Sequence, residues 1–165
     1  KHNLADSAYN QRREVCENIA RFNKVKTLRE ITSLDETKAN FSQEDTDKAK
    51  HIITENQRVL DSANAMKNKN WQKLGELMYQ SHFSLKDDYE VSSDELDYLV
   101  ELAQEFDGVY GARMTGGGFG GCTIHLLDES KLEKYKVYLK NKYQSKFGIE
   151  PFFYISKASN GSHKI

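Results

Sequence analysis

Five of the six residues from 116 to 121 are glycine, and this cluster limits what the chain can fold into more than any other feature. The chain has ten glycines in 165 residues, so half of them lie in one short stretch. Glycine loses the most backbone freedom on folding, so such a cluster is expected where the backbone needs positive φ or a close approach. Strand-like residues flank it at 109–110 and 123–127. We therefore predict a strand, a glycine loop and a second strand.

The sequence leaves two interpretations of this loop open. Consecutive N–H groups can turn inward and form an anion-binding nest, which would suit a phosphate. Alternatively, the loop is an ordinary hairpin connection. The general phosphate motifs do not decide the matter: no Gly-Lys-Ser/Thr follows, and the G-x-G-x-x-G through Gly116, Gly118 and Gly121 precedes a strand instead of a helix.

Composition indicates one globular domain. A chain of 165 residues can bury a sizeable core, and 38% hydrophobic with 30% charged residues is untypical of disorder. The 24 basic and 25 acidic residues argue against a nucleic-acid partner. No apolar run approaches the ~18 residues of a membrane span, and no secretory signal is visible. We expect a cytoplasmic protein without a membrane partner, with Cys16 and Cys122 as buried thiols.

Hydrophobic periodicity predicts several helices. The first spans about 7–22, with Asp6 or Ser7 as its cap; the next begins after Ser42 and is interrupted at 68–70; others span about 70–85, 92–107 and 130–147, and a third strand is expected at 152–155. In the second and third helices the predicted buried residues are Ala49, Ile52, Ile53, Val59, Leu60, Ala63 and Met66, then Trp71, Leu74, Leu77, Met78 and Phe83. Helices followed by β-loop-β-α-β indicate an α+β domain.

Three segments resemble the galactokinases, which belong to the GHMP small-molecule kinases. GVYGARMTGGGFGGC at 108–122 is similar to their third signature motif. SLKDDYEVS at 84–92 is similar to the segment that precedes this motif, and ADSAYNQRR at 5–13 to the start of the family's second half. The matches keep the family's order and rough spacing, and together they cover nearly the whole chain.

The resemblance implies a GHMP kinase C-terminal domain over 1–165, a ferredoxin-like antiparallel sheet backed by several helices. It leads us to seek a fourth strand, which would either be too short to recognise in the sequence or lie near 23–33 or 89–92. The chain opens at Lys1 without methionine, and its first residues already match mid-family sequence, so we expect a fragment. The family's N-terminal half, with its ATP- and sugar-binding segments, metal-associated acids and catalytic aspartate, would lie outside it.

The parent enzyme would then transfer the γ-phosphoryl group of Mg·ATP to the C1 hydroxyl of galactose. The chain by itself would contain no catalytic residue and no metal ligand. It would bind neither ATP nor Mg²⁺ and would be inactive alone. Its partners would be galactose and ATP, through the parent active site, and the missing N-terminal domain.

Tyr9 is the substrate-binding residue that the resemblance implies, as the tyrosine of the family's galactose-contacting segment. Without the resemblance, one of nine tyrosines would sooner be assigned to the core. The resemblance also places a loop next to the phosphates, or makes it a support for the phosphate loop of the other half; its residues are Thr115, Gly116, Gly117, Gly118, Phe119, Gly120 and Gly121.

Other polar residues point to structural roles. For Arg12 and Arg13 an ion pair is at least as well supported as a ligand, and Asp87 and Asp88 suit a solvated or interface pair. His82 suits the core or a domain interface, and His51 has no evident partner. The histidines have no HExxH spacing, so no zinc site is expected.

Three alternatives stay open. An N-acetylgalactosamine kinase would differ in the half that holds most sugar contacts. A non-catalytic, galactokinase-like sensor of sugar and ATP would be separated by an activity assay on the full-length parent. An independent ferredoxin-like binding module would have to bind a ligand alone, whereas we expect a large exposed apolar patch where another half docks.

Overall fold

Six α-helices and one antiparallel pair of strands make up residues 2–157, the part of the chain that this computed structural model describes; the side chains of 2–7 and 36 lie outside that description. In order these are α1 (His2–Phe22), α2 (Asp35–Lys38), α3 (Gln43–Lys67), α4 (Trp71–Asp87), α5 (Asp94–Glu105), β1 (Val109–Thr115), β2 (Cys122–Leu127) and α6 (Leu132–Phe147). Short 3₁₀ turns span Leu28–Glu30 and Glu129–Lys131. The predicted α+β class is confirmed.

Helix caps explain several of the boundaries. Ser42 accepts a hydrogen bond from the Asp45 N–H at 3.1 Å, and Asn70 accepts one from the Lys73 N–H at 3.0 Å, so α3 and α4 begin where the sequence predicts. Gly148 ends α6 in the left-handed conformation, at φ 70°. The predicted start of α1 is wrong, because the helix already begins at His2 and runs through Asp6 and Ser7.

The two strands form a hairpin that packs directly against α4. The register pairs Thr115 with Cys122 next to the loop and Val109 with Leu127 at the other end. A Cβ on Gly75 of α4 would lie 1.8 Å from the Tyr110 carbonyl oxygen, and one on Gly111 would lie 2.3 Å from the Gly75 Cα. Helix and strand thus meet backbone to backbone, which fixes where β1 delivers the glycine loop.

The predicted third strand at 152–155 is wrong for the described residues. In that part of the chain the sheet has two strands, and no backbone hydrogen bond joins 152–155 to either of them. Phe153 packs against the core while Phe152 is 90% and Tyr154 89% exposed, so the segment alternates like a strand but has no ladder partner. The fourth strand is wrong too, because 23–33 contains a 3₁₀ turn and 89–92 is irregular.

The apolar core consists of three clusters. The largest lies between α5, the hairpin and α6, and includes Val100, Ala112 and Leu139. A second joins α1 to the first half of α3, and the third, formed by Val91, Leu96 and Met114, lies next to the glycine loop. The loop is therefore attached to packed structure at its β1 end.

The predicted buried stripe holds for the first half of α3 and fails for the second. Ala49, Ile52 and Ile53 belong to the cluster with α1, as predicted. Four of the predicted residues in the second half of α3 are exposed, because the elements that pack there cover only the other face of the helix: Val59, Leu60, Ala63 and Met66. Trp71 and Phe83 of α4 are also exposed, and Leu77 is buried as predicted.

None of the helices between residues 2 and 157 combines the length and apolar character that a membrane crossing needs.

Candidate functional site

The glycine loop between β1 and β2 adopts a backbone that most residues avoid. Gly116, Gly118, Gly120 and Gly121 have φ of 90°, 86°, 118° and 110°. Phe119 also has positive φ, at 60°, although it carries a side chain. Because L-residues rarely adopt this region, the glycines are required by conformation.

One side of the loop is seated on the segment that precedes α5. A Cβ on Gly118 would lie 2.2 Å from the Val91 carbonyl oxygen, so only glycine fits there. The same oxygen accepts a hydrogen bond from the Phe119 N–H at 2.7 Å. Along the other side, a Cβ on Gly116, Gly117 or Gly120 would meet no described atom within 4 Å. The loop thus has a packed side and an open side.

Helix α1 reaches the loop through Arg12. The Arg12 Cζ lies 5.4 Å from the centre of the Phe119 ring and 5.9 Å from that of Tyr89. The side chain is buried, and its nitrogens donate to the carbonyl oxygens of Ala8, Tyr89 and Glu90 at 2.6–2.9 Å. The structure therefore brings the start of α1 and the glycine loop together.

Tyr9 lies on α1, one turn before Arg12, and its side chain is 55% exposed. It is not a core tyrosine, which was the interpretation favoured without the family resemblance. Thr115, the last residue of β1, is exposed as well. The Tyr9 side chain and Thr115, where β1 leads into the glycine loop, are thus both accessible at the surface.

A buried histidine supports the end of β1. The Met114 N–H donates to Nδ1 of His82 at 3.2 Å, and Nε2 lies 3.2 Å from a carboxylate oxygen of Asp97. Nδ1 must therefore be the acceptor and Nε2 the donor, so the ring is neutral. Burial lowers the pKa of His82, which keeps the ring neutral. The prediction of a core histidine is confirmed, since only 1% of the surface of His82 is exposed.

A charged cluster joins α3, α4 and β1 beside the loop. The Glu55 carboxylate accepts hydrogen bonds from Ser81 at 2.7 Å, from Arg58 at 2.7 Å and from Arg113 at 3.0 Å. Burial alone would raise the pKa of Glu55, but the hydrogen bonds from Ser81 and Arg58 outweigh it and lower the pKa. Arg113 lies two residues before Thr115, so this ion pair fixes the strand that carries the loop.

His51, Ser84 and Asp88 form a Ser-His-Asp arrangement of the wrong polarity for nucleophilic catalysis. The Ser84 hydroxyl donates to Asp88 at 2.8 Å, so its oxygen accepts from Nδ1 of His51 at 2.9 Å. A nucleophilic serine must instead give its proton to the histidine. Burial lowers the pKa of His51 to about 4. The expectation that His51 has no partner is wrong: the buried His51 and Ser84 connect α3 to α4 where the sequence suggested a polar boundary.

Arg12 is the residue that sequence reasoning missed. Arg13 forms the expected ion pair, 2.8 Å from Glu17, but Arg12 binds backbone carbonyls and is buried. The helical periodicity could have revealed its burial, because Arg12 shares one helix face with Val15, Cys16 and Ile19. The expectation of buried thiols is wrong for Cys122, which is exposed, and Cys16 is partly buried.

The other acidic predictions have simple outcomes. Asp87 is exposed, as expected of a solvated residue, whereas Asp88 is partly buried and pairs with Lys50 at 2.8 Å. In the described part of the chain no group of three or more His, Cys, Asp or Glu side chains could hold a metal ion. The Arg12 nitrogens already donate to backbone carbonyls, whereas the Thr115 side chain is at the surface.

The chain is similar to known proteins over nearly its whole length. Residues 62–145, just over half of the chain, match the family described as GHMP kinases C terminal. The chain is 44% identical over 99% of its length to a protein named galactokinase from Actinobacillus succinogenes, and 45% identical over 99% to one from Mannheimia succiniciproducens. It spans 44% of the length of each. A solved structure of Lactococcus lactis galactokinase complexed with galactose matches 96% of this chain and 43% of that chain, with a TM-score of 0.84 and 38% identity.

Proposed function

We propose that this chain is part of a longer protein that is a galactokinase, because the chain belongs to the GHMP kinases and carries their C-terminal domain. That protein would transfer the γ-phosphoryl group of ATP to the C1 hydroxyl of galactose. The observation that carries the proposal is the similarity of almost the entire chain, at 44% identity, to a protein of that name. The domain assignment over 1–165, with a further N-terminal domain as partner, belongs to the same proposal.

Tyr9 is proposed to bind the sugar. Its hydroxyl can donate to a sugar hydroxyl while its ring packs against the apolar face of the pyranose. The exposed position of Tyr9 supports this role, because a core tyrosine could not reach a ligand. That the L. lactis structure is of a galactose complex supports the sugar class.

The loop from Thr115 to Gly121 is proposed to lie beside the phosphates. The open space next to Gly116, Gly117 and Gly120 fits this role, since a side chain there would restrict an approaching phosphate or phosphate loop. Magnesium, when bound, would neutralise charge on the transferred phosphoryl group. Its ligands and the catalytic base are proposed to lie in the part of the longer protein outside this chain.

The exposed apolar residues of α3 and of segment 152–155 support docking of another domain. Leu60 is 65% and Phe152 90% exposed, so both are available for contact with another domain. A cytoplasmic location is part of the same proposal, and the two free thiols suit a reducing compartment.

Replacing Tyr9 by Phe in the longer protein tests the proposal. The variant keeps the ring and loses the hydroxyl, so we expect KM for galactose to rise about tenfold, the effect of one lost hydrogen bond. KM for ATP should change little. Tyr143→Phe, on α6, is the matched control and should leave both constants unchanged.

Other results would replace the proposal. Preferred phosphorylation of N-acetylgalactosamine would identify the alternative sugar kinase. Binding of galactose and ATP without turnover would identify a non-catalytic sensor. Wild-type-like KM values for galactose in Tyr9→Phe would remove Tyr9 from the sugar site.

A further inference from the structure

Arg12 is a buried cation that binds backbone instead of an acid. Only 7% of it is exposed. Nη1 donates to the Ala8 carbonyl at 2.9 Å, Nε to the Tyr89 carbonyl at 2.6 Å and Nη2 to the Glu90 carbonyl at 2.8 Å. The Glu90 carboxylate is farther away, at 3.9 Å. The guanidinium therefore joins α1 to the 89–90 backbone by a geometry that only its planar fork provides.

The segment that Arg12 holds has an unfavourable backbone conformation. Glu90 has φ of 54°, in the left-handed region that a residue with a side chain rarely adopts. Its carboxylate lies 3.5 Å from Nζ of Lys48, which is itself buried. Such a conformation persists only where its surroundings determine it. Arg12 and Lys48 are the cations that do so here.

The same segment is the seat of the glycine loop. Val91 follows Glu90 directly, its carbonyl accepts the Phe119 N–H at 2.7 Å, and its backbone leaves no room for a Cβ on Gly118. Phe119 also has a left-handed φ, and its ring lies 5.4 Å from the Arg12 guanidinium carbon. Arg12 therefore contacts both the seat and the loop.

We propose that Arg12 is a positioning residue, which fixes the glycine loop relative to α1 and hence relative to Tyr9. Its link to phosphoryl transfer rests on the proposed function; its effect on the loop does not. Without the guanidinium the 89–91 backbone can relax, Val91 moves, and the loop loses its hydrogen-bonded seat. Arg12 itself is not proposed to touch a substrate.

Arg12→Lys in the longer protein is the test, with Arg13→Lys as matched control. Lysine keeps the charge but cannot donate along three fixed directions. Arg13 is the next residue of the same helix, is exposed, and forms its ion pair within α1. Hydrogen exchange of peptides that span 116–121 reports on the Phe119 amide. We expect that amide to exchange at least tenfold faster in Arg12→Lys and at the wild-type rate in Arg13→Lys.

Steady-state kinetics separate positioning from general destabilisation. In Arg12→Lys, kcat/KM for ATP should fall at least tenfold at saturating galactose, while KM for galactose changes less than threefold. Phe119→Leu, which alters the contact from the loop side, should lower kcat/KM for ATP in the same way. If Arg12→Lys does not fold, the Phe119→Leu variant alone tests the link between the contact and the reaction. Its effect should be non-additive with that of Arg12→Lys.

Three results would overturn the inference. Equal exchange of the Phe119 amide in the Arg12 and Arg13 variants would show that Arg12 does not seat the loop. Faster exchange with unchanged kcat/KM for ATP would show that the loop position is irrelevant to the reaction. Wild-type kinetics in Phe119→Leu would break the proposed link. If the wild-type protein phosphorylates no sugar, the proposed function fails, and the exchange result alone decides the role of Arg12.

Discussion

Gly117 and Gly118 are neighbours in the loop, but the structure requires glycine at only one of them. A Cβ on Gly118 would collide with the Val91 carbonyl, and its φ is 86°. A Cβ on Gly117 meets no described atom within 4 Å. We expect Gly118→Ala to lower the free energy of unfolding by about 1–3 kcal/mol, and Gly117→Ala to change it by less than about 0.5 kcal/mol.

Urea denaturation of the two glycine variants measures this difference. The activity of Gly117→Ala then carries separate information, because its stability should be unaffected. A loss of activity would show that the open side of the loop is used by phosphate or by another part of the protein. Equal stability of the two variants would contradict the packed seat at Val91.

Three buried histidines should make stability depend on pH. Burial lowers the pKa of His82, and it lowers the pKa of His51 and of His125 to about 4, against about 6.5 in an unfolded chain. Below pH 6.5 the unfolded chain therefore binds protons that the folded protein does not, and stability falls as pH falls toward 4. From pH 7.5 to 5.5 we expect a loss of about 1–3 kcal/mol in the free energy of unfolding.

Chemical denaturation across that pH range tests the prediction. Carboxylates with lowered pKa values take up protons only at lower pH, so they do not contribute to the change in stability between pH 7.5 and 5.5. His125→Gln should remove part of the pH dependence, since it removes one of three buried histidines whose pKa is lowered. A stability profile that is flat between pH 7.5 and 5.5 would show that these rings take up protons in the folded protein as readily as in the unfolded chain.

At the scale of elements, Glu55 determines how α3, α4 and β1 fit together. One carboxylate accepts from Ser81 of α4, Arg113 of β1 and Arg58 of its own helix. Glu55→Gln keeps the shape but leaves two guanidinium groups without a carboxylate. We expect it to cost about 1–3 kcal/mol of stability. Glu76→Gln, from an exposed pair with Lys73 at 3.4 Å, is the control and should cost less than about 0.5 kcal/mol.

Thermal and urea unfolding of the two glutamine variants measures the contrast. Similar losses would mean that the Glu55 cluster is no better than a surface ion pair. The sequence indicated where α3 and α4 begin, because caps are local, but it did not indicate this cluster. Glu55 and Arg113 are separated by 58 residues, and only the packing of α4 on β1 through Gly75 and Gly111 brings them together.

At the scale of the whole molecule, this chain provides one wall of the proposed site. Tyr9 and the glycine loop are accessible from outside, and apolar residues such as Leu60 and Phe152 remain exposed. We therefore expect calorimetry of the chain alone to detect no binding of ATP or galactose, and calorimetry of the longer protein to detect both. Strong ATP binding by the chain alone would mean that the nucleotide site is misplaced in our proposal.

The sequence by itself determined the features that depend on near neighbours and on motif order. Glycine-rich composition determined the loop, caps determined the starts of α3 and α4, and three ordered segments determined the family. The tertiary structure alone decided which faces are buried and what Arg12 does. Val59 and Leu60 look like core residues and are exposed, while His51 and Arg12 look like surface residues and are buried. The physical reason is that burial depends on which elements arrive from distant parts of the chain, and hydrogen bonds make buried polar groups affordable only where such partners meet them.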